Sequence, residues 1–321
     1  MDRASSGCRA HFKAISSGTS LATLTGHRRS DRGNSRECWG SQIGEAKGAP
    51  QFRGALLSVQ SRGVRIDLNA DVGESFGPYS SGHDAGLFQS ITSANVAAGF
   101  HAGDPSVLRA TIRAARAAGI SIGAHPGFAD RLGFGRHEIR MGASALEDLV
   151  IYQIAAVAGV AAAEGAPVHH VKPHGALYNM AARDREIAGA IVRAVAAIDR
   201  RLLVYAPPHS VLESVATDAG LAVIAEAFVD RAYQPDGALV SRQSPGAVLH
   251  DLEETSRRAV RLVTEGIVTA IDGSVLRLQA QTLCIHSDTD GADRLAARVR
   301  VDLEAAGVAV RPPDTAQSRS G

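Results

Sequence analysis

From Arg65 onward the chain repeats one unit: a short apolar run, a polar loop, then an Ala-rich stretch with apolar residues three and four positions apart. This repetition constrains the fold more than any other feature, because strand–loop–helix units joined in series build a parallel sheet. The expected strands are "RIDLNA" (65–70), "SANVAA" (93–98), "SIGAH" (121–125), "VHHVK" (168–172), "LLVYA" (202–206), "AVIAEAF" (222–228), "TLCIH" (282–286) and "VAVR" (308–311). Helices are expected at 105–119, 144–165, 184–199, 208–220, 244–266 and 290–307, most of them stopping at a glycine, the favoured residue just past a helix end. Seven or eight mostly parallel strands within about 250 residues favour an α/β, TIM-like (β/α) barrel over an open sheet.

Residues 1–63 do not share the pattern, being crowded with Ser, Gly and Arg and lacking any sustained period. Such a segment buries too little apolar surface to offset the entropy of ordering. The expectation is a disordered extension, or sequence upstream of a true start near Val64, followed by one barrel domain over 64–313 and a flexible tail at 314–321.

Charge narrows the partners. Lys+Arg number 34 against 33 Asp+Glu, so no broad basic surface awaits nucleic acid or anionic lipid, and a small substrate is expected. No apolar run approaches the roughly 20 residues of a membrane span and no secretory signal is evident, which predicts no membrane association and a cytoplasmic location. Three scattered cysteines, Cys8, Cys38 and Cys284, make neither a disulfide framework nor a CxxC metal site.

Nearly every polar cluster follows a strand: "DLNADVGESFG" (67–77), "GFHAGDP" (99–105), "GAHPGFADRLGFGR" (123–136), "KPHGALYN" (172–179), "EAFVDRAY" (226–233) and "HSDTDGAD" (286–293). In a barrel those loops meet on one face, so sequence-distant groups converge there. Asp67, Asp71, Glu74, His101, His125, Asp130, Lys172 and His174 are expected on that rim. Asp104 before Pro105 serves equally well as a helix cap. His169 and His170 alternate on a strand, one facing the interior and one the helices, and both read as packing residues. Lys172 precedes a proline at a strand end, and if buried there it needs a compensating anion. Two chemistries fit the set: a divalent metal held by Asp and His that activates water, or metal-free acid–base catalysis with Lys or Arg stabilising an oxyanion. Neither GxSxG nor GxxxxGK[ST] occurs, and Cys284 reads as part of an apolar strand.

Taken in order, "RIDLNADVGE", "ANVAAGFHAGDP", "GAHPGFADRLGFGR", "YQI", "HVKPHGALYN", "EAFVDRAYQPDGALVSR" and "HSDT" resemble the LamB/YcsF family over about residues 64–313. The resemblance implies a barrel related to the glycoside hydrolase/deacetylase barrels. It further implies ATP-dependent opening of 5-oxo-L-proline to L-glutamate with two partner subunits, ATP being a co-substrate whose subunit is left open, as is any need for a divalent metal. On this reading Asp71, His101, His125, Lys172 and His174 are the expected catalytic groups. Asn69, Glu74, Asp104, Asp130, Arg131, Asn179, Arg231 and Arg242 are the expected substrate-binding groups. Two alternatives are a stand-alone metal-dependent amide or acetyl hydrolase and a non-catalytic subunit that presents substrate. The chain departs from the family pattern at Ala98, where Cys is common, and at Ser287, where Gly is usual; Ser suffices unless that position needs a positive φ or touches a ligand.

Overall fold

The computed structural model describes residues 63–314. The expected extension before Gly63 and the expected tail after Asp314 lie outside the described residues.

In chain order the elements are β1 (Arg65–Val72), α1 (Asp84–Leu87), β2 (Ser93–Ala97), α2 (Pro105–Ala117), β3 (Ser121–His125), α3 (Ala143–Ala163), β4 (Val168–Val171), α4 (Gly175–Ala181), α5 (Arg185–Ile198) and β5 (Leu203–Ala206). Then come α6 (Val211–Asp218), β6 (Val223–Phe228), α7 (Leu252–Glu265), β7 (Ile267–Thr269), β8 (Val275–Arg277), β9 (Thr282–Ile285), α8 (Ala292–Ala305) and β10 (Ala309–Val310). The sheet runs β1-β2-β3-β4-β5-β6-β9, all parallel, and β9 pairs back onto β1 with Asp67 opposite Thr282 and Ala70 opposite Ile285, which closes a seven-stranded barrel. The eighth expected strand, β10, sits beside the barrel, pairing only with Arg65 and Ile66 before β9 takes over that edge of β1.

Local chemistry accounts for the helix starts. Asp104, Asp184, Ser210 and Asp251 each accept hydrogen bonds from first-turn amides of α2, α5, α6 and α7. The helix expected from 244 begins only at Leu252, because Gly246 adopts a left-handed φ of 76° and Asp251 supplies the cap. Before it, the loop is tied down by Ala232 N–H to the Ala247 carbonyl and Leu249 N–H to the Asp230 carbonyl. The β7–β8 hairpin had no expected counterpart. At 21 residues, α3 is long and apolar enough to cross a membrane by length and composition, which corrects the expectation that no run approaches that length. In this fold it packs on α5 and on β3, burying Leu146, Val150, Gln153, Ile154, Val157 and Ala161.

Along β1 alternate residues divide between two environments. Ile66, Leu68, Ala70 and Val72 belong to the apolar core that includes the buried faces of the helices, whereas Asp67, Asn69 and Asp71 bond to side chains of other barrel strands. Asp67 and Asn69 lie within the strand expected at 65–70, and β1 runs on through Asp71, which was expected beyond its end. Asp67 sits deep in the barrel and is not a rim residue.

Candidate active site

The barrel interior is polar and layered. Lowest is Asp67, which accepts hydrogen bonds from Thr92 Oγ1 (2.6 Å), Ser93 Oγ (2.7 Å), Thr282 Oγ1 (2.5 Å) and Tyr205 Oη (3.0 Å). Burial raises its pKa, and the hydroxyl bonds offset only part of that rise. Above it, Asn69 donates to Thr282 Oγ1 and Glu226 Oε1 and accepts from Asn95 Nδ2 at 2.7 Å. His170 faces inward, its ring stacked 4.2 Å from Tyr205 and its Nε2 2.8 Å from Asn95 Oδ1, while His169 is only half-buried. Gly123 makes room for that ring: a Cβ there would lie 2.1 Å from His170 Nε2.

At the strand C-termini stands Lys172, almost fully buried. Its Nζ lies 2.9 Å from Asp71 Oδ1, 3.0 Å from Glu226 Oε1 and 2.9 Å from Cys284 Sγ. The anion expected of a buried lysine is thus supplied by two carboxylates. Burial works against the ammonium, but the carboxylates of Asp71 and Glu226 outweigh it and hold the Lys172 pKa well above its ordinary value. For Asp71 burial acts upward, and its contacts with His125 and the Lys172 ammonium reverse the sign, holding its pKa well below the ordinary range. Cys284 lies within strand β9, as expected, with its sulfur turned to this polar interior, and burial pushes its thiol well up.

Beside Lys172 three imidazoles gather with Glu74, all buried. His125 Nδ1 donates to the Lys172 carbonyl at 2.7 Å, and His174 Nε2 donates to the Phe134 carbonyl at 2.8 Å. His125 Nε2 and His174 Nδ1 then face each other at 2.8 Å, with Asp71 Oδ2 3.4 Å from the former and Glu74 Oε1 3.7 Å from the latter. His101 stacks flat on His174, ring centroids 3.7 Å apart, and its Nε2 meets Glu74 Oε1 at 3.3 Å. Burial is the main cause lowering the pKa of both His101 and His174. Gly135, at φ 66°, lets the Phe134–Arg136 loop press on these rings, since a Cβ there would lie 2.7 Å from His101 Cβ and His174 Cδ2. Gln153 on α3 clamps the same region by accepting from Gly127 N–H and donating to the Gly127 carbonyl, both at 2.9 Å.

Of the residues singled out from sequence, Asn69, Asp71, Glu74, His101, His125, Lys172 and His174 are brought together. Others do structural work. Asp104 caps α2 through Oδ1 and takes the Gly77 amide on Oδ2. Asp130 accepts from the Gly133 and His137 amides and so shapes the loop that follows β3. Arg131 lies over the Phe76 ring and donates to the Gly99 and Gly103 carbonyls. Arg231 is buried and donates to the Val240 and Ala247 carbonyls, with burial lowering its pKa to about 10. Asn179 is exposed, because the expected loop there winds into α4 and its neighbour Tyr178 takes the inward position. Arg242 lies 3.5 Å from Asp288, which Arg136 also pairs at 2.6 Å.

Sequence reasoning did not pick out Glu226, Tyr178 or the Asp230–His286 pair, although their loops were marked. Asp230 accepts from His286 Nδ1 at 2.9 Å and from Thr289 Oγ1 at 3.1 Å, and His286 stacks on Phe228. Burial and the facing Glu226 push the Tyr178 phenol well up. Strand alternation is the signal that could have found Glu226, two residues before Phe228 in an otherwise apolar run.

Comparison with known proteins agrees with this picture. The profile of the LamB/YcsF family matches residues 66–318. The chain is 51% identical over 249 residues to the 5-oxoprolinase A subunit of Symbiobacterium thermophilum, covering 78% of this chain and 95% of that one. It is likewise 51% identical to the 5-oxoprolinase A subunit of Paracidovorax citrulli, covering 78% of this chain and 99% of the relative. Among solved structures, the lactam utilization protein from Thermus thermophilus superposes with a TM-score of 0.73 at 48% identity, covering 77% of this chain and 99% of that one. With its profile match spanning nearly all of the barrel and relatives at half identity, the chain belongs to the LamB/YcsF family.

Proposed function

We propose that the protein is the A subunit of a cytoplasmic 5-oxoprolinase that opens 5-oxo-L-proline to L-glutamate at the expense of ATP, working with two partner subunits. The observation that carries this reading is a charged Lys172, held between Asp71 and Glu226 beside His125 and His174, at the mouth of a barrel whose relatives bear that name.

A five-membered lactam resists hydrolysis because its amide is resonance-stabilised. Transfer of the ATP terminal phosphoryl group to the amide oxygen makes the ring carbon electrophilic. Water then adds to that carbon, the ring C–N bond breaks as nitrogen takes a proton, and the acyl phosphate so formed takes a second water to give glutamate and phosphate. In this scheme the A subunit directs water and protons. The ammonium of Lys172 stabilises negative charge on oxygen, and the facing His125–His174 pair positions the attacking water. Asp71, already engaged by Lys172 and Asn95, orients these groups and is a poor base. Arg242 and Arg136, flanking Asp288 at the mouth, supply guanidinium donors suited to a carboxylate or phosphate.

The test is to mix the purified chain with both partner subunits and measure glutamate with and without ATP. Ring opening that requires ATP and is lost in Lys172→Ala and His174→Ala, with folding retained, is the expected result; full activity in both variants would sink these roles. The cluster of Glu74 with three imidazoles favours a second reading, a stand-alone amide hydrolase. Lactam or acetamide hydrolysis by the chain alone, without ATP, would establish it instead.

A further inference from the structure

The tautomers of two histidines are fixed by what they touch. A carbonyl oxygen only accepts, so His125 carries its proton on Nδ1 and His174 on Nε2. Each ring therefore presents a bare lone pair at its other nitrogen, and those two nitrogens lie 2.8 Å apart. Two lone pairs at that distance repel unless a cation stands between them or beside them.

Charge points the same way. Asp71, Glu74 and Glu226 are buried with Lys172 as the single ammonium among them, a cluster short of positive charge. Glu74 aims Oε1 at the histidine pair, 3.7 Å from His174 Nδ1. Backbone carbonyls holding the far nitrogens are the outer contacts that metal-bound histidines ordinarily make. His101 is within reach as well, but its ring lies parallel to His174 at 3.7 Å, so one ion cannot lie in the plane of both rings. Its Nε2 contact instead makes it a positioning residue for Glu74.

We propose that His125 Nε2, His174 Nδ1 and Glu74 Oε1 bind a divalent transition-metal ion, with Zn²⁺ best suited to two imidazoles and one carboxylate. Donors of a tetrahedral ion with bonds of about 2.1 Å stand roughly 3.4 Å apart, so the two nitrogens spread by about half an ångström on taking it. When bound, such an ion makes a coordinated water far more acidic. The site stands independently of the ring-opening reading.

The full chain, stripped with a chelator and dialysed against Zn²⁺ alone, should retain a single ion per chain by elemental analysis. His125→Gln and His174→Gln should each weaken binding by about tenfold or more, while His169→Asn, on β4 outside the cluster, should not. Because the glutamine variants can misfold, the unaltered chain is also loaded with Cu²⁺ alone and examined by pulsed EPR, which reads coordinated imidazole nitrogen directly. Retention with an imidazole signal supports the site. No retention by the unaltered chain, or a bound ion without imidazole nitrogen, overturns it and leaves a shared proton as the bridge.

Discussion

Two aspartates on one strand, Asp67 and Asp71, are both buried inside the barrel, yet their acidities move in opposite directions. Asp67 meets only hydroxyls: Thr92, Ser93, Thr282 and Tyr205 satisfy its oxygens without supplying charge, so desolvation prevails. Asp71, four residues further along the same face, meets the His125 ring and the Lys172 ammonium, and together they overcome the same desolvation. Burial alone does not decide whether a carboxylate is a charge available for chemistry; the partner does. The lower layer surrounds one carboxyl with hydroxyls, and the upper layer pairs carboxylates with a buried ammonium.

The sharpest way to break the contrast is to remove the cation. Lys172→Met should leave Asp71 and Glu226 buried without compensation and cost about 3–5 kcal/mol at neutral pH. Urea unfolding of chelator-treated protein measures this, and the loss should shrink in acid as the stranded carboxyls protonate. Unchanged stability would mean that the carboxylates do not depend on Lys172.

The aspartates themselves come next. Asp71→Asn should cost about 2 kcal/mol at neutral pH, because it leaves Lys172 half-compensated, whereas Asp67→Asn should stay within about 1 kcal/mol, since hydroxyls can turn to meet an amide. Their pH dependence carries opposite signs. With its folded pKa raised, Asp67 contributes stability that is present below the unfolded value of about 4 and lost as pH rises through the folded one. The stability of Asp67→Asn relative to the unaltered chain should therefore improve with rising pH in unfolding series from pH 4 to 8. A flat difference would show that the hydroxyl cage fully compensates the charge. Asp71, with its folded pKa lowered, contributes stability that is present above about 4 and lost only as pH falls through the folded value.

The sequence shows the barrel but not this layering. All seven barrel strands and β10 fall within two residues of the expected runs, because β-loop-α alternation with glycine stops is a local pattern. The convergence of Asp71, Glu74, His101, His125, Lys172 and His174 follows from that topology, since strand C-termini share a face. What alternation leaves open is which side of a strand faces inward, so Asp67, placed on the expected strand 65–70, reads as a rim residue where it belongs to an interior stripe with Asn69 and Asp71. Glu226 and Cys284 were obscured for the same reason, each embedded in a largely apolar run. The late start of α7 was hidden by Ser244-Pro245, which imitates a capped helix start until Gly246 turns left-handed.

The smallest expected effect separates the layers by their redundancy. Ser287 stands where the family usually has glycine, and it needs no left-handed backbone, since among the described residues only Phe134 and His209 of the non-glycines adopt one. Its Oγ donates to Glu74 Oε2 at 3.2 Å, so the departure adds a bond to the upper layer. Ser287→Gly should cost about 1 kcal/mol and loosen Glu74, whose other oxygen is then held by His101 alone. In the lower layer Ser93→Ala removes one hydroxyl of four around Asp67, and the remaining three can still satisfy its two oxygens. If Ser93→Ala instead costs more than Ser287→Gly in the same unfolding assay, the hydroxyl cage acts as a unit whose members are not interchangeable, and the lower layer is as finely specified as the site it supports.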